Sequence, residues 1–175
     1  MKIFRSAGNF LILLLLCSTQ SIFAQNASAS TETPPFKRNP TVPPFVLTSL
    51  DGKTITRESL AKKKATLIIY FSPECHHCID QMNEMVKQAK SFEPYNLVFA
   101  TYQPMEELQK FYTKYNLSTW KNIYLGRDEK FFFPPYCKIA NLPFNILYDK
   151  KGNLITSFEG TTAMDKLLNG LAGKN

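Results

Sequence analysis

The sequence predicts an α/β fold, a central mixed β-sheet flanked by helices, and three observations predict it. Ala65-Thr66-Leu67-Ile68-Ile69-Tyr70-Phe71 is nearly continuous in apolar and β-branched residues, the composition of a strand covered on both faces. Ile79, Met82, Val86 and Ala89 then recur at helical spacing, with Asp80, Gln81, Asn83, Glu84, Lys87 and Lys90 between them. Leu97 to Tyr102 returns as a second apolar strand, which completes a strand, helix, strand unit whose crossover is expected to be right-handed.

The remaining elements follow in order. Phe45 to Leu50, the Asp51-Gly52 turn and Lys53 to Thr56 read as a small hairpin, with a single helical turn at Glu58 to Ala61. Leu108, Phe111, Tyr112 and Tyr115 give a second helix, and Asn122 to Leu125 a short strand. Pro143 to Tyr148 and Leu154 to Phe158 pair across a turn at Asp149 to Asn153. The chain closes with a helix that turns Met164, Leu167, Leu168 and Leu171 inward; Thr162 is expected to cap it, and Asp165 suits its positive first turn.

The 175 residues are 44% hydrophobic and 20% charged, with 14 Phe and 8 Tyr, enough for a core that needs no disulfide scaffold. The formal charge of +7 does not gather on one segment: Lys62, Lys63 and Lys64 make the only run of three, so no nucleic-acid partner is expected. Residues 1–24 read as a secretory signal, with Lys2 and Arg5 before the apolar run Phe10 to Leu16 and Ala24 before the cleavage point. Export places the mature chain in the periplasm or cell envelope; the minor alternative is a lipoprotein tethered through Cys17. Residues 25–42, rich in Ser, Thr and Pro, read as a flexible linker that adds little core, and 43–175 as the folded domain. Without Cys17 three cysteines remain, an odd number that leaves at least one unpaired or transiently paired.

Cys75-His76-His77-Cys78 carries the chemistry, because it stands where a buried strand ends and an amphipathic helix begins. Unpaired backbone N–H groups at a helix start favour a thiolate on Cys75, and Cys78 follows one turn later. That spacing lets the two sulfurs close an exchangeable bond, with Cys75 the exposed nucleophile and Cys78 the partner that resolves a mixed disulfide. A protonated His77 would stabilise the reduced dithiol and push the pair toward oxidation, whereas His76 adds to this or simply faces water. A purely structural disulfide here would close a very short loop and restrict the unfolded chain little. Four neighbouring residues do not surround a tetrahedral zinc ion, and only Cys137 is left to help, so no metal and no cofactor is expected. A copper- or protein-binding module without catalysis is the reading from another class.

The segment Phe71-Ser72-Pro73-Glu74-Cys75-His76-His77-Cys78, with Leu142-Pro143 later, resembles the thioredoxin-like fold. Pro44 to Lys53 and Leu147 to Gly152 are similar to exported TlpA/ResA-type thiol-disulfide oxidoreductases, including their extra N-terminal hairpin. The resemblance implies a disulfide reductase acting on exported client proteins with thiols or disulfides, fed by a membrane or periplasmic electron donor. Oxidase, isomerase and AhpC/TSA-like thiol peroxidase chemistry are its alternatives. It further implies that Pro143 is a cis-proline opposite the thiols and that the Leu142 backbone pairs with a bound substrate peptide. Ile69 stands where thioredoxins keep a buried Asp, and Gln81 where ResA-type proteins keep a Glu, so the family's proton acceptor is missing; Glu74 or His77 are the candidates to replace it. Against peroxide chemistry, Ser72 matches the peroxiredoxin Thr but Ile68 sits where their Pro belongs. Cys137 reads as a buried small hydrophobe or else a third redox thiol. Phe131, Phe132 and Phe133, followed by Pro134 and Pro135, read as core or else as an apolar wall for a client peptide.

Overall fold

The computed structural model describes residues 32–174; the expected signal with Cys17, and the linker up to residue 31, lie outside the described residues. Strands β1 (Val46–Ser49), β2 (Thr54–Thr56), β3 (Thr66–Tyr70), β4 (Asn96–Thr101), β5 (Ile123–Arg127), β6 (Phe144–Tyr148) and β7 (Leu154–Glu159) form one mixed sheet in the order β2-β1-β5-β4-β3-β6-β7. The three central strands β5, β4 and β3 are parallel. β6 and β1 join the trio antiparallel on either side, and each brings its hairpin partner. Helices are α1 (Pro35–Arg38), α2 (His76–Lys87), α3 (Ala89–Phe92), α4 (Met105–Lys114), α5 (Phe133–Cys137) and α6 (Met164–Ala172).

All five residues of β3 are buried, as its unbroken apolar run requires, because both faces are covered. Leu67 and Ile69 enter a core shared with Met82 and Met85 of α2, Leu108 and Phe111 of α4, and Leu167 and Leu171 of α6. Ile68 and Tyr70 enter the opposite core, with Phe36 of α1, Phe133 and Cys137 of α5, and Ile146 of β6. The hairpin β1–β2 docks onto β5 where Gly126 leaves room: a Cβ there would stand 2.8 Å from the Leu47 Cβ and 3.0 Å from the Thr48 carbonyl.

Three expectations are corrected. Residues 33–44 do contribute core: Pro35 sits in the first turn of α1, Phe36 is 1% exposed and meets Phe144 edge to face at 5.9 Å, and Thr41 bridges to Asn153. Proline there starts a short helix and then an extended run, so a Pro-rich stretch packs without a long regular element. The inner face of α2 is Cys78, Gln81, Met82 and Met85, while Val86 is 41% exposed. A glutamine takes an apolar slot because its amide finds a partner on β6. Thr162 does not cap α6; Ala163 holds that position without a side-chain bond, and the Thr162 hydroxyl turns inward instead. The expected turn near Glu58 is a 3-10 helix at Arg57–Ser59, capped reciprocally by Thr56 and Ser59.

Two outcomes follow. Phe36→Ala should destabilise the domain by about 3–5 kcal/mol in denaturant unfolding, and a change below about 0.5 kcal/mol would show that α1 is not part of the core. Burial, reinforced by the Asp128 carboxylate, pushes the Cys137 thiol up to about 12 from an ordinary value of 9.0. The unfolded thiol ionises first as pH rises, so the unfolded state holds fewer protons between those values and stability falls through that window. The stability advantage of wild type over Cys137→Ala should therefore narrow between about pH 9 and about pH 12, whereas a constant advantage would contradict the burial of this thiol.

Candidate active site

The C-terminal ends of β3, β4 and β5 and the N-terminal end of β6 lie at one edge of the sheet, and the candidate site is built there. After β3 the chain turns through Ser72, whose carbonyl accepts the Cys75 N–H at 3.1 Å. Cys75 is the N-cap of α2, with extended backbone at φ −74° and ψ 120°, and its carbonyl takes the first intrahelical bond from the Ile79 N–H at 3.0 Å. Its side chain is half-buried and supplies no cap bond. The free helix-start amides therefore have no side-chain acceptor from that residue. Cys78, one turn later, is 4% exposed. Burial pushes the Cys78 thiol well above its ordinary range, and the Cys75 sulfur beside it acts in the same direction.

From across the sheet edge comes the Leu142–Pro143 peptide, which is cis. The Cys75 Sγ lies 3.8 Å from the Leu142 carbonyl, in donor geometry. Pro143 is buried and lines, with Cys78, Ile69 and Phe71, a cavity of about 10 Å³ beneath the thiols. Cys75, Cys78, Leu142 and Pro143 thus meet, although 64 or more residues separate the two pairs in sequence.

The histidines stand elsewhere. The His76 Nε2 reaches the Asp80 carboxylate at 3.4 Å on an open surface, where such a pair contributes little. The His77 side chain is exposed, and its ring centroid lies 6.2 Å from that of His76. Its main chain is tied down, because the carbonyl accepts the Thr161 hydroxyl at 3.3 Å. Glu74 is also exposed, and its N–H is donated to the Ser72 hydroxyl at 3.4 Å. Cys137 lies in the core on the opposite face from Cys78. Among the described residues no group of three or more His, Cys, Asp or Glu is placed to hold a metal ion.

A buried amide cluster behind Cys78 was not anticipated. The Gln81 Nε2 donates to the Asn145 Oδ1 at 2.7 Å, and the Asn145 Nδ2 donates back to the Gln81 Oε1 at 3.2 Å. The same Gln81 oxygen accepts the Thr162 N–H at 3.0 Å, while Asn145 also reaches the Thr162 hydroxyl at 3.2 Å. These bonds fasten α2, β6 and the loop before α6 beside Cys78. Asn145 is the Cα partner of Ile69, so the polar group lies on the strand next to that isoleucine, in neutral form. The readable signal was an asparagine alone among the apolar residues of Phe144 to Tyr148.

Comparison with known proteins agrees with this architecture. The chain is similar to a secreted Mycobacterium tuberculosis disulfide oxidoreductase homologous to E. coli DsbE, with 21% identity, a TM-score of 0.61, and 74% of this chain and 96% of that one covered. It is similar to M. tuberculosis dsbF, solved in mixed oxidised and reduced forms, at 22% identity and TM-score 0.63, covering 77% and 100%. A thiol-disulfide oxidoreductase from Bacteroides fragilis aligns at 16% identity and TM-score 0.62, covering 76% and 98%. No curated protein matches the sequence. The AhpC/TSA family model matches residues 39–167, and with a thioredoxin-like sheet carrying its cysteine pair at the start of α2, the chain belongs to the AhpC/TSA family.

Proposed function

We propose that the protein is a thiol-disulfide oxidoreductase of the disulfide-reductase type, acting on exported client proteins through Cys75 and Cys78. The observation that carries the reading is the placement of a half-buried Cys75 at the cap of α2, with a sealed Cys78 one turn behind it and the Leu142 carbonyl in front. The Cys75 thiolate attacks one sulfur of a client disulfide, forms the mixed disulfide and expels the other client sulfur as a thiolate, which takes a proton. Cys78 then loses its proton, attacks the Cys75 sulfur and expels the second client thiolate. The client gains two electrons and the pair becomes the Cys75–Cys78 disulfide, to be reduced again by a dithiol donor.

Burial supports the order of attack. A thiol that burial holds protonated is a poor first nucleophile but is positioned to resolve once Cys75 is bound to a client. Leu142 offers its main chain beside the sulfur to an extended substrate, and Pro143 shapes the floor. The signal-like start favours action in the periplasm or cell envelope. Among the described residues no helix is long and apolar enough to cross a membrane.

The family match carries a second reading, peroxide reduction at Cys75. Against it, Ile68 stands where peroxiredoxins keep a proline. Rapid, peroxide-dependent sulfenic acid on Cys75 would favour this reading over disulfide exchange.

The main test is Cys78→Ala, which should accumulate mixed disulfides of Cys75 with client proteins, detected by mass spectrometry and released by reductant; recovery of no Cys75 adduct would refute the mechanism. In the native reduced protein, iodoacetamide should label Cys75 while Cys78 and Cys137 react only after unfolding. Equal labelling of Cys78 would contradict its burial. A redox titration of the pair should give a potential near about −270 mV, the thioredoxin range, and a value near about −120 mV would reassign the protein as an oxidase.

A further inference from the structure

Among the described residues four large apolar side chains stand in solvent, and two of them touch. Tyr102, 43% exposed, and Phe131, 50% exposed, meet edge to face with centroids 5.6 Å apart. They come from different loops at the thiol end of the sheet: Tyr102 directly follows β4, and Phe131 lies in the loop after β5. Phe131 has φ 51°, a left-handed backbone that disfavours any residue but glycine. Asp128, 1% exposed, holds the turn: its carboxylate oxygens accept the Phe132 and Phe133 N–H groups at 2.9 Å each, and its carbonyl accepts the Phe131 N–H at 3.1 Å. None of these bonds involves the ring at 131. A glycine would make the same turn with less strain and no apolar exposure, so neither folding nor solubility accounts for the phenylalanine.

Tyr102 is equally fixed. The Arg127 Nε donates to its carbonyl at 3.3 Å, and the Thr101 carbonyl before it accepts the Asp128 N–H at 2.7 Å. A chain of hydrogen bonds ties this loop to the turn that carries the thiols, because the Gln103 Nε2 donates to the Ser72 hydroxyl at 3.3 Å and the Ser72 carbonyl accepts the Cys75 N–H. β5, β4 and β3 are neighbours, so the loops after β5 and β4 leave the same sheet edge as the turn to Cys75, and one to two strand spacings are about 5 to 10 Å. An extended peptide advances about 3.3 Å per residue, so two or three residues cover that distance.

Resting on the thiol-exchange reading, we propose that the Tyr102–Phe131 pair receives an apolar side chain of an extended client polypeptide, two or three residues from the cysteine that exchanges with Cys75. The exposed halves of the two rings offer about 200 Å². A stable dimer uses about 800 Å² per partner, so the pair suits a transient peptide contact and not a second copy of the chain. Rigid aromatic rings lose little freedom when a side chain packs on them, which makes a small surface useful for choosing among clients.

The test uses disulfide-bearing peptides that differ only in Phe or Ser at the second or third residue on either side of the cysteine. Wild type should exchange with a Phe peptide about tenfold faster than with its Ser counterpart, and Phe131→Gly, whose backbone fits the turn, should bring that ratio close to one. An undiminished ratio in Phe131→Gly, or no preference in wild type, overturns the proposal. Exchange of wild type with a small symmetric disulfide tests the thiol chemistry separately. The same peptides with Ser for Cys, titrated by NMR, report docking even if that chemistry fails, and resonance shifts at Tyr102 and Phe131 are expected only with Phe. Dimerisation in sedimentation, or binding to phosphatidylcholine and phosphatidylglycerol vesicles, abolished by Phe131→Gly would overturn it in favour of a second copy or a membrane.

Discussion

The antiparallel pairing of β6 with β3 is the constraint from which the site follows. Its register sets Tyr70 opposite Phe144, so the residues just beyond, Ser72 and its turn on one strand and Leu142-Pro143 on the other, must converge at one edge. Cys75 caps the helix that leaves that turn, and its sulfur therefore faces the Leu142 carbonyl. Two strands, the short connection Phe71 to Glu74 and one helix start define the position of the reacting atom. The precision comes from a five-rung ladder buried on both faces, which resists sliding because a shift by one residue would exchange the two cores.

The amide cluster of Gln81, Asn145 and Thr162 fastens what the ladder positions. A single hydrogen bond of this kind is worth about 1 kcal/mol net, yet removing one partner would leave buried polar groups unpaired at about 1–3 kcal/mol. The stronger constraint is directional: paired amides accept one arrangement of α2 against β6, whereas methionines such as Met82 and Met85 tolerate several. The neutral pair also leaves the surroundings of Cys78 without added charge on that side.

Much of this was legible in the sequence because the sheet is built from strands with unmistakable patterns. The continuous run at residues 65–71 and the alternating hairpins each have one reading, and the cysteine pair announced its place at the strand-to-helix junction. The pairing of Leu142 and Pro143 with that junction came from family likeness, since nothing local brings residues so distant together. What stayed hidden had a common cause, polar or irregular residues whose partners are remote. Gln81 looked like a surface residue until Asn145 supplied its bonds, and Thr162 looked like a cap until the same asparagine claimed its hydroxyl. Phe36 lay among prolines that mask any period, so its burial against Phe144 had no local signature. His77 follows the first thiol along the chain, yet successive helical residues point about 100° apart, so adjacency alone did not say that its side chain is exposed.

The seclusion of Cys137 bears on which disulfides this domain can form. The three cysteines among the described residues could pair in three ways, and only one joins Cys75 to Cys78. In the finished domain the third sulfur sits across the sheet from the other two, sealed by Phe133 and Ile146, so the wrong unions are sterically closed. Mispairing with Cys137 is then open only to a chain whose α5 is not packed on the sheet.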